Sequence, residues 1–408
     1  VAELTYDDAL AYLFARLPMF QRIGAAAYKA DLGNTLALME ALGHPERALK
    51  CVHVAGTNGK GSTSSLIASA LQEAGYNVGL HTSPHLKDFR ERFRINGAMV
   101  SEQAVARFVE EHRAAFEPIA PSFFEWGVAF ALWWFREQQV DIAVLETGMG
   151  GRLDSTNVVM PEVSAITNIG WDHMQFLGDT LVKIAAEKAG IIKPRVPVVV
   201  GEAEGEVAEV FRLKAAQEQA PIAFVDQQAP LRFASALAGP HQERNARAAL
   251  AALEALRMRG WAIPDEAIRD GFAKVAVNTG LRGRWEVIGQ APRTIADVAH
   301  NVDGVRAVKA MLERTRHNRL RIVLGMVSDK DIGAVLALLP KDAAYHFCKA
   351  DIPRGMDAAT LRQKAEEHGL QGEAHPSVHA AVQAARRAAQ ADDLVLVTGS
   401  VFVVAEAL

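Results

Sequence analysis

The chain has 408 residues, half of them hydrophobic and 23% charged, which is too long for one comfortable core and leaves no room for a large disordered tail, so two folded domains are expected. A formal net charge of -4 argues against a general nucleic-acid or membrane-surface binder, since both depend on clustered Lys and Arg. Cys51 and Cys348 form no CxxC pair, which suggests neither a disulfide framework nor a cysteine zinc site and fits a reducing cytoplasm. Val1-Ala2-Glu3-Leu4 carries no basic, apolar leader and the apolar run 128–135 is far short of a membrane span, so neither export nor a membrane partner is expected.

Residues 7–42 read as helices with an irregular middle around Gly24, Asp31, Gly33 and Asn34, a candidate lid or substrate loop. Next, a short apolar strand, 52–55, runs straight into Gly56-Thr57-Asn58-Gly59-Lys60-Gly61-Ser62, and an amphipathic helix follows (Leu66, Ile67, Ala70, Leu71). Glycines let backbone N–H groups turn inward onto phosphate oxygens, the lysine adds a point charge, and the helix presents its positive end. The common P-loop has glycine where Val54 stands and Ser or Thr directly after the lysine; here Gly61 holds that place and Ser62 comes one residue later. The loop is a variant nucleotide phosphate cradle.

A second strand over 76–84 breaks at Pro84. A hairpin at 92–97 and helices over 101–116 and 123–138 follow. Apolar runs at 141–148, 163–168 and 197–201, separated by helical stretches, mark a parallel sheet with crossover helices, whose ligands gather at the carboxyl ends of the strands. One helix spans 242–259 and another starts with Pro264 in its first turn, before the pattern breaks at 278–284. The boundary is placed there, giving domains 1–281 and 282–408. Beyond it, strands at 293–299, 319–325, 344–348 and 393–400 alternate with helices. The fold class is therefore α/β: a P-loop-type, mostly parallel sheet domain followed by a smaller Rossmann-like α/β domain.

Ser83, Glu146 and His173 sit at or just past strand ends and are candidate ligands for the Mg²⁺ that a nucleotide site needs. Singly, each has a bland reading: a turn residue before proline, a helix cap, a satisfied polar side chain. The glycine-rich stretch Glu146-Thr147-Gly148-Met149-Gly150-Gly151-Arg152-Leu153-Asp154-Ser155-Thr156-Asn157 lets backbone approach a ligand closely. Lys188, judged by its helical surroundings, reads as a solvated lysine. Asp297-Val298-Ala299-His300-Asn301 puts a carboxylate, an imidazole and an amide in one strand-to-helix turn, where Asn301 can serve simply as an N-cap. Arg284, just ahead of that domain, is a candidate nucleotide contact if the domains close on each other.

These motifs, in this order, resemble the folylpolyglutamate synthases and dihydrofolate synthases of the ATP-dependent Mur ligase superfamily. The resemblance is carried by residues 56–62, Thr82-Ser83-Pro84-His85-Leu86, Glu91-Arg92-Phe93-Arg94, the stretch 146–157, Lys188-Ala189-Gly190-Ile191-Ile192-Lys193, and Asp297-Val298-Ala299-His300-Asn301. The family's usual Asp-Gly-Ala-His-Asn has Val298 here at the glycine.

The resemblance implies that a substrate carboxylate takes the γ-phosphate of ATP and that the resulting acyl phosphate is attacked by the amine of L-glutamate. It implies ATP binding by Gly56, Thr57, Asn58, Gly59, Lys60, Gly61, Ser62, Asn245, Arg284 and Asp297. Ser62, Ser83, Glu146, His173 and a carbamylated Lys188 would hold two Mg²⁺ ions, and Lys60, Lys188, Asp297 and His300 would serve the chemistry. Asp31, Leu32, Gly33, Asn34, Ser122, Phe123, Phe124, Glu125 and Leu153 would face the pteroate; Arg92, His300 and Ser400 would meet the glutamate. The implied partners are small molecules, with no nucleic acid and no membrane, and the implied state is a cytoplasmic monomer. Two alternatives remain open: a related ligase adding an amino acid to a UDP-linked cell-wall precursor, and a nucleotide-gated P-loop binding protein without ligase chemistry.

Overall fold

A computed structural model describes residues 4–19, 31–328 and 332–408. The expected irregularity at Gly24 lies outside the described residues. Two compact units divide the chain, one running through Leu281 and the other from Arg282 to Leu408 together with short earlier segments.

The first unit is built on β1 (Cys51–Ala55), β2 (Val78–His81), β3 (Phe93–Ile95), β4 (Ala98–Met99), β5 (Ile142–Glu146), β6 (Val163–Ile166), β7 (Val198–Val200) and β8 (Ile222–Phe224). Among the described residues these form one sheet in the order β4-β3-β2-β5-β1-β6-β7-β8. All pairings are parallel except β2 with β3 and β3 with β4. β1, β2 and β5 are buried along their whole length because helices cover both faces, which is why they appear in the sequence as mostly apolar runs. The hairpin turns at Asn96-Gly97, both with positive φ.

The helix Lys60–Glu73 follows β1 directly and is rich in small residues. Ser69 Oγ donates to the Gly271 carbonyl at 2.6 Å, and a Cβ on Gly271 would stand 2.5 Å from Ala70 Cα, so the helix Asp265–Ala273 packs almost backbone to backbone against it. This pins the helix whose first turn carries the lysine of the loop. On the other side, Phe93, Phe108, Trp126 and Phe130 interlock edge to face around the helix Phe123–Glu137. That helix holds the apolar run at 128–135, and no described helix is long and apolar enough to cross a membrane.

The second unit contains β9 (Glu286–Gln290), β10 (Arg293–Ala296), β11 (Leu320–Leu324), β12 (Ala344–Phe347), β13 (Gln371–Ala374) and β14 (Leu394–Thr398). Their order is β13-β12-β11-β14-β10-β9, parallel except for β9. Apart from β1, which begins one residue earlier than read, the expected strands are present but shorter than read from sequence, and β8, β9 and β13 were not expected. Pro264 stands at the N-cap of its helix rather than inside the first turn.

Candidate active site

β1 ends at Ala55, and the loop that follows turns over the carboxyl edge of the sheet. Gly59 adopts φ +81 at the N-cap of the helix Lys60–Glu73, and a Cβ there would lie 2.1 Å from Asn245 Oδ1. A Cβ on Gly56 would lie 1.8 Å from Thr167 Oγ1. Only glycine fits at either place. The segment after β6 braces the loop: Thr57 N–H donates to the Asn168 carbonyl at 3.0 Å, Asn58 N–H to Asn168 Oδ1 at 2.8 Å, and Thr167 Oγ1 to the Asn58 carbonyl at 2.6 Å. Thr167 and Asn168 were missed by sequence reasoning, which had no signal for a brace about 110 residues downstream beyond their place at a strand end.

Lys60 Nζ donates to the carbonyls of Gly56 and Thr57 at 3.1 and 3.2 Å. Lys188 is not a solvated lysine, contrary to the reading of its helix alone: it is 3% exposed, and its Nζ donates to Gly56 O at 2.9 Å. Burial and the charge of Lys60 push its pKa down to about 7, against the opposing pull of Asp172, Asp154 and Glu187. Near neutral pH a substantial share of this amine is therefore unprotonated and nucleophilic.

Glu146 ends β5 beside Val54, and its Oε2 accepts the Ser83 N–H at 3.0 Å, so the structure joins Ser83 to Glu146. Ser62 Oγ is buried in the first turn after the loop with no hydrogen-bond partner among the described residues. Hard oxygen donors at the mouth of a phosphate-type loop suit Mg²⁺, so these residues fit the ion. His173 Nε2 lies 3.7 Å from a carboxylate oxygen of its neighbour Asp172. Among the described residues no group of three or more His, Cys, Asp or Glu side chains converges as a metal cluster.

Arg92 is buried with its Nε donating to His85 Nδ1 at 2.8 Å and its guanidinium 5.4 Å from the centre of the Phe123 ring. Burial lowers Arg92 to about 10, while burial and the Arg92 charge lower His85 to about 3, so His85 is a neutral acceptor. Ser122 and Glu125 close a capping box on their helix, and Asn34 Nδ2 reaches Glu125 Oε2 at 3.4 Å. Asn34, Ser122 and Glu125 are thus brought together. Asp31 is an exposed turn residue accepting the Gly33 N–H at 2.7 Å, and Leu32 and Leu153 are partly buried. Phe123 is buried, whereas Phe124 is only partly buried.

In the second unit, Asp297 follows β10 and accepts the N–H groups of Trp285 and Ala299 at 2.9 and 3.0 Å. Burial raises its pKa, against the Arg284 charge and those two hydrogen bonds. His300 Nδ1 lies 3.0 Å from the Val298 carbonyl, and Asn301 caps the helix Val302–Arg314. Gly399 N–H donates to the Ala299 carbonyl at 3.1 Å, which brings the backbone beside Ser400 next to that beside His300; Ser400 also caps the last helix. Val298 is accommodated by a glycine: Gly283 has φ +68, and a Cβ there would lie 2.9 Å from Val298 Cγ1.

The Mur ligase middle domain matches residues 54–229, and the Mur ligase glutamate ligase domain matches residues 283–401. Fold, loop and both matched domains define a Mur ligase. The dihydrofolate synthase/folylpolyglutamate synthase of Bacillus subtilis is 35% identical, over 98% of this chain and 98% of its own. A probable bifunctional folylpolyglutamate synthase/dihydropteroate synthase of Haloferax volcanii is 37% identical over 99% of this chain, which spans 50% of that relative. The structure of E. coli FolC in complex with DHPP and ADP superposes with TM-score 0.87 at 32% identity, covering 99% of this chain and 96% of that one. A bifunctional folylpolyglutamate synthase/dihydrofolate synthase with Mn, AMPPNP and L-glutamate bound gives TM-score 0.85 at 30% identity, covering 99% and 97%. The chain belongs to the dihydrofolate synthase/folylpolyglutamate synthase family.

Proposed function

We propose that the chain is an ATP- and Mg²⁺-dependent ligase that adds L-glutamate to reduced folates, extending tetrahydrofolate to polyglutamates, and to dihydropteroate to make dihydrofolate. The observation that carries this reading is the glycine loop with two lysines on its Gly56 carbonyl, in a chain whose relatives bear those activities in their names. Residues 1–281 are taken as the ATP-binding part and 282–408 as the glutamate-ligase part.

An acceptor carboxylate oxygen attacks the γ-phosphorus of ATP, and ADP departs with the bridging oxygen. The unprotonated amine of glutamate then attacks the acyl carbon; phosphate leaves, the nitrogen loses its proton, and an amide remains. Lys60 and the loop N–H groups, with Asn245, Arg284 and Asp297, bind the nucleotide and offset the charge that grows on the phosphates. Divalent metal, as two ions held by Ser62, Ser83, Glu146, His173 and carbamylated Lys188, would add charge neutralisation across the phosphates. The buried, weakly basic amine of Lys188 supports carbamylation, since an unprotonated amine adds CO₂ and releases one proton to give an anionic carbamate.

Arg92, His300 and Ser400 take the glutamate. Asp31, Leu32, Gly33, Asn34, Ser122, Phe123, Phe124, Glu125 and Leu153 face the pteroate, Phe124 being only partly buried. The protein is taken as a cytoplasmic monomer acting on small molecules alone. The test is incubation with ATP, Mg²⁺, labelled L-glutamate and either dihydropteroate or tetrahydrofolate. Label entering the acceptor, with ADP formed in equal amount, is the expected result; no incorporation into either acceptor overturns the reading.

A further inference from the structure

A buried polar chain runs from the nucleotide-loop strand into the glycine-rich turn, and none of the roles above uses it. His53 lies in the middle of β1, fully buried, with Nε2 2.8 Å from Thr156 Oγ1. That hydroxyl donates to Asp154 Oδ1 at 2.5 Å. A hydroxyl has one proton to give, so His53 is the donor to Thr156 and carries its own proton on Nε2. Its Nδ1, a bare acceptor in that tautomer, is buried without a partner among the described residues, which agrees.

Asp154 is the hub of the turn. Oδ1 also accepts the Thr156 N–H at 3.0 Å, and Oδ2 accepts the Met149 N–H at 2.9 Å, which fixes the peptide unit joining Met149 to Gly148. Gly148 in turn supports an aromatic ring: a Cβ there would stand 2.5 Å from Phe124 Cζ, so the ring packs directly on its backbone. Phe124 also meets His81, ring centres 6.3 Å apart. Because Phe123 is buried and Phe124 is not fully so, Phe124 is the ring left to stack on a planar substrate. A buried hydrogen-bond network holds its members in one arrangement, and removing one link leaves its partner unpaired.

We propose that His53 and Thr156 are positioning residues which, through Asp154, fix Gly148 and so hold the Phe124 ring in the orientation that stacks on the aromatic acceptor. This rests on the ligase reading above, and the test separates the two. Acceptor KM, ATP KM, kcat and thermal midpoint are measured for the wild-type chain, Thr156→Val and Thr156→Ser. The expected result is an acceptor KM raised about tenfold in Thr156→Val, the equivalent of one lost hydrogen bond, with kcat and ATP KM within about twofold of wild type. Thr156→Ser, which keeps the hydroxyl, restores the wild-type acceptor KM.

If Thr156→Val does not fold, His53→Leu against His53→Gln carries the same comparison, because the glutamine amide can still donate to Thr156. An unchanged acceptor KM in the variant lacking the link, or acceptor and ATP KM rising together with a lowered midpoint, overturns the positioning claim. A wild-type chain that incorporates no glutamate sinks the ligase reading instead.

Discussion

The side-chain amines of Lys60 and Lys188 donate to a single oxygen, the Gly56 carbonyl, at 3.1 and 2.9 Å. Both amines are held at the turn where phosphate oxygens are expected, and that of Lys188 is buried. Lys60 supplies positive charge there without a basic surface, in keeping with a net charge of -4. Replacing Lys60 by alanine should reduce turnover about 10²–10³-fold, the scale of losing one preorganised charge-stabilising donor. Circular dichroism should be unchanged. Retained activity in a folded Lys60→Ala chain would remove the phosphate role.

Lys188 makes stability depend on pH with a definite sign. Its folded pKa of about 7 lies below its ordinary value near 10.5. Between those values the unfolded chain holds a proton that the folded chain does not, so stability rises with pH across that window. The burial penalty is fully present below about pH 7. In bicarbonate-free buffer, wild type should gain more stability than Lys188→Met when urea unfolding is compared at pH 6.5 and 9; parallel pH dependences would contradict the burial. With ¹³C-bicarbonate, a carbamate signal lost in Lys188→Ala, and partial rescue of that variant by acetate, are the expected signs of carbamylation.

Gly59 and Gly75 separate strain from collision. Both have positive φ, +81 and +90, but a Cβ on Gly59 meets Asn245 Oδ1 at 2.1 Å whereas nothing lies within 4 Å of one on Gly75. Gly75→Ala should cost the backbone strain alone, about 1–2 kcal/mol. Gly59→Ala should cost more and weaken nucleotide binding as well. Chemical denaturation and titration with an unreactive ATP analogue check both; equal costs with unaltered binding would refute the close fit of the loop.

Arg92 serves as both a directional donor and a stacked plane, through His85 and Phe123. A lysine has neither the fork nor the flat face. Arg92→Lys should raise the glutamate KM at least about tenfold, a loss near 1.4 kcal/mol, while the ATP KM stays near wild type. Steady-state kinetics varying each substrate in turn decides it.

The central strands and the glycine loop were legible because burial on both faces writes itself as apolar runs, as in Ile142-Ala143-Val144-Leu145, and because a tight turn demands glycine. Edge strands wrote no such signal. β13 is Gln371-Gly372-Glu373-Ala374, and it pairs closely with β12 because Gly372 leaves room for the Tyr345 carbonyl, which would lie 2.0 Å from a Cβ there. The burial of Lys188 escaped the reading of its helix alone for a related reason. Helical periodicity describes neighbours in sequence, whereas its burial depends on Gly56, 132 positions away. The brace from Thr167 and Asn168 and the chain from His53 to Asp154 are likewise long-range pairings that local patterns do not encode.

The central claim is ligation through an acyl phosphate, and the most direct measurement follows oxygen. Dihydropteroate or tetrahydrofolate with an ¹⁸O-labelled carboxylate is incubated with the protein, ATP, Mg²⁺ and L-glutamate, and the released phosphate is analysed by mass. One ¹⁸O per phosphate, in step with glutamylated product, is the predicted result; phosphate free of label, or phosphate released without any glutamylation, would contradict the account.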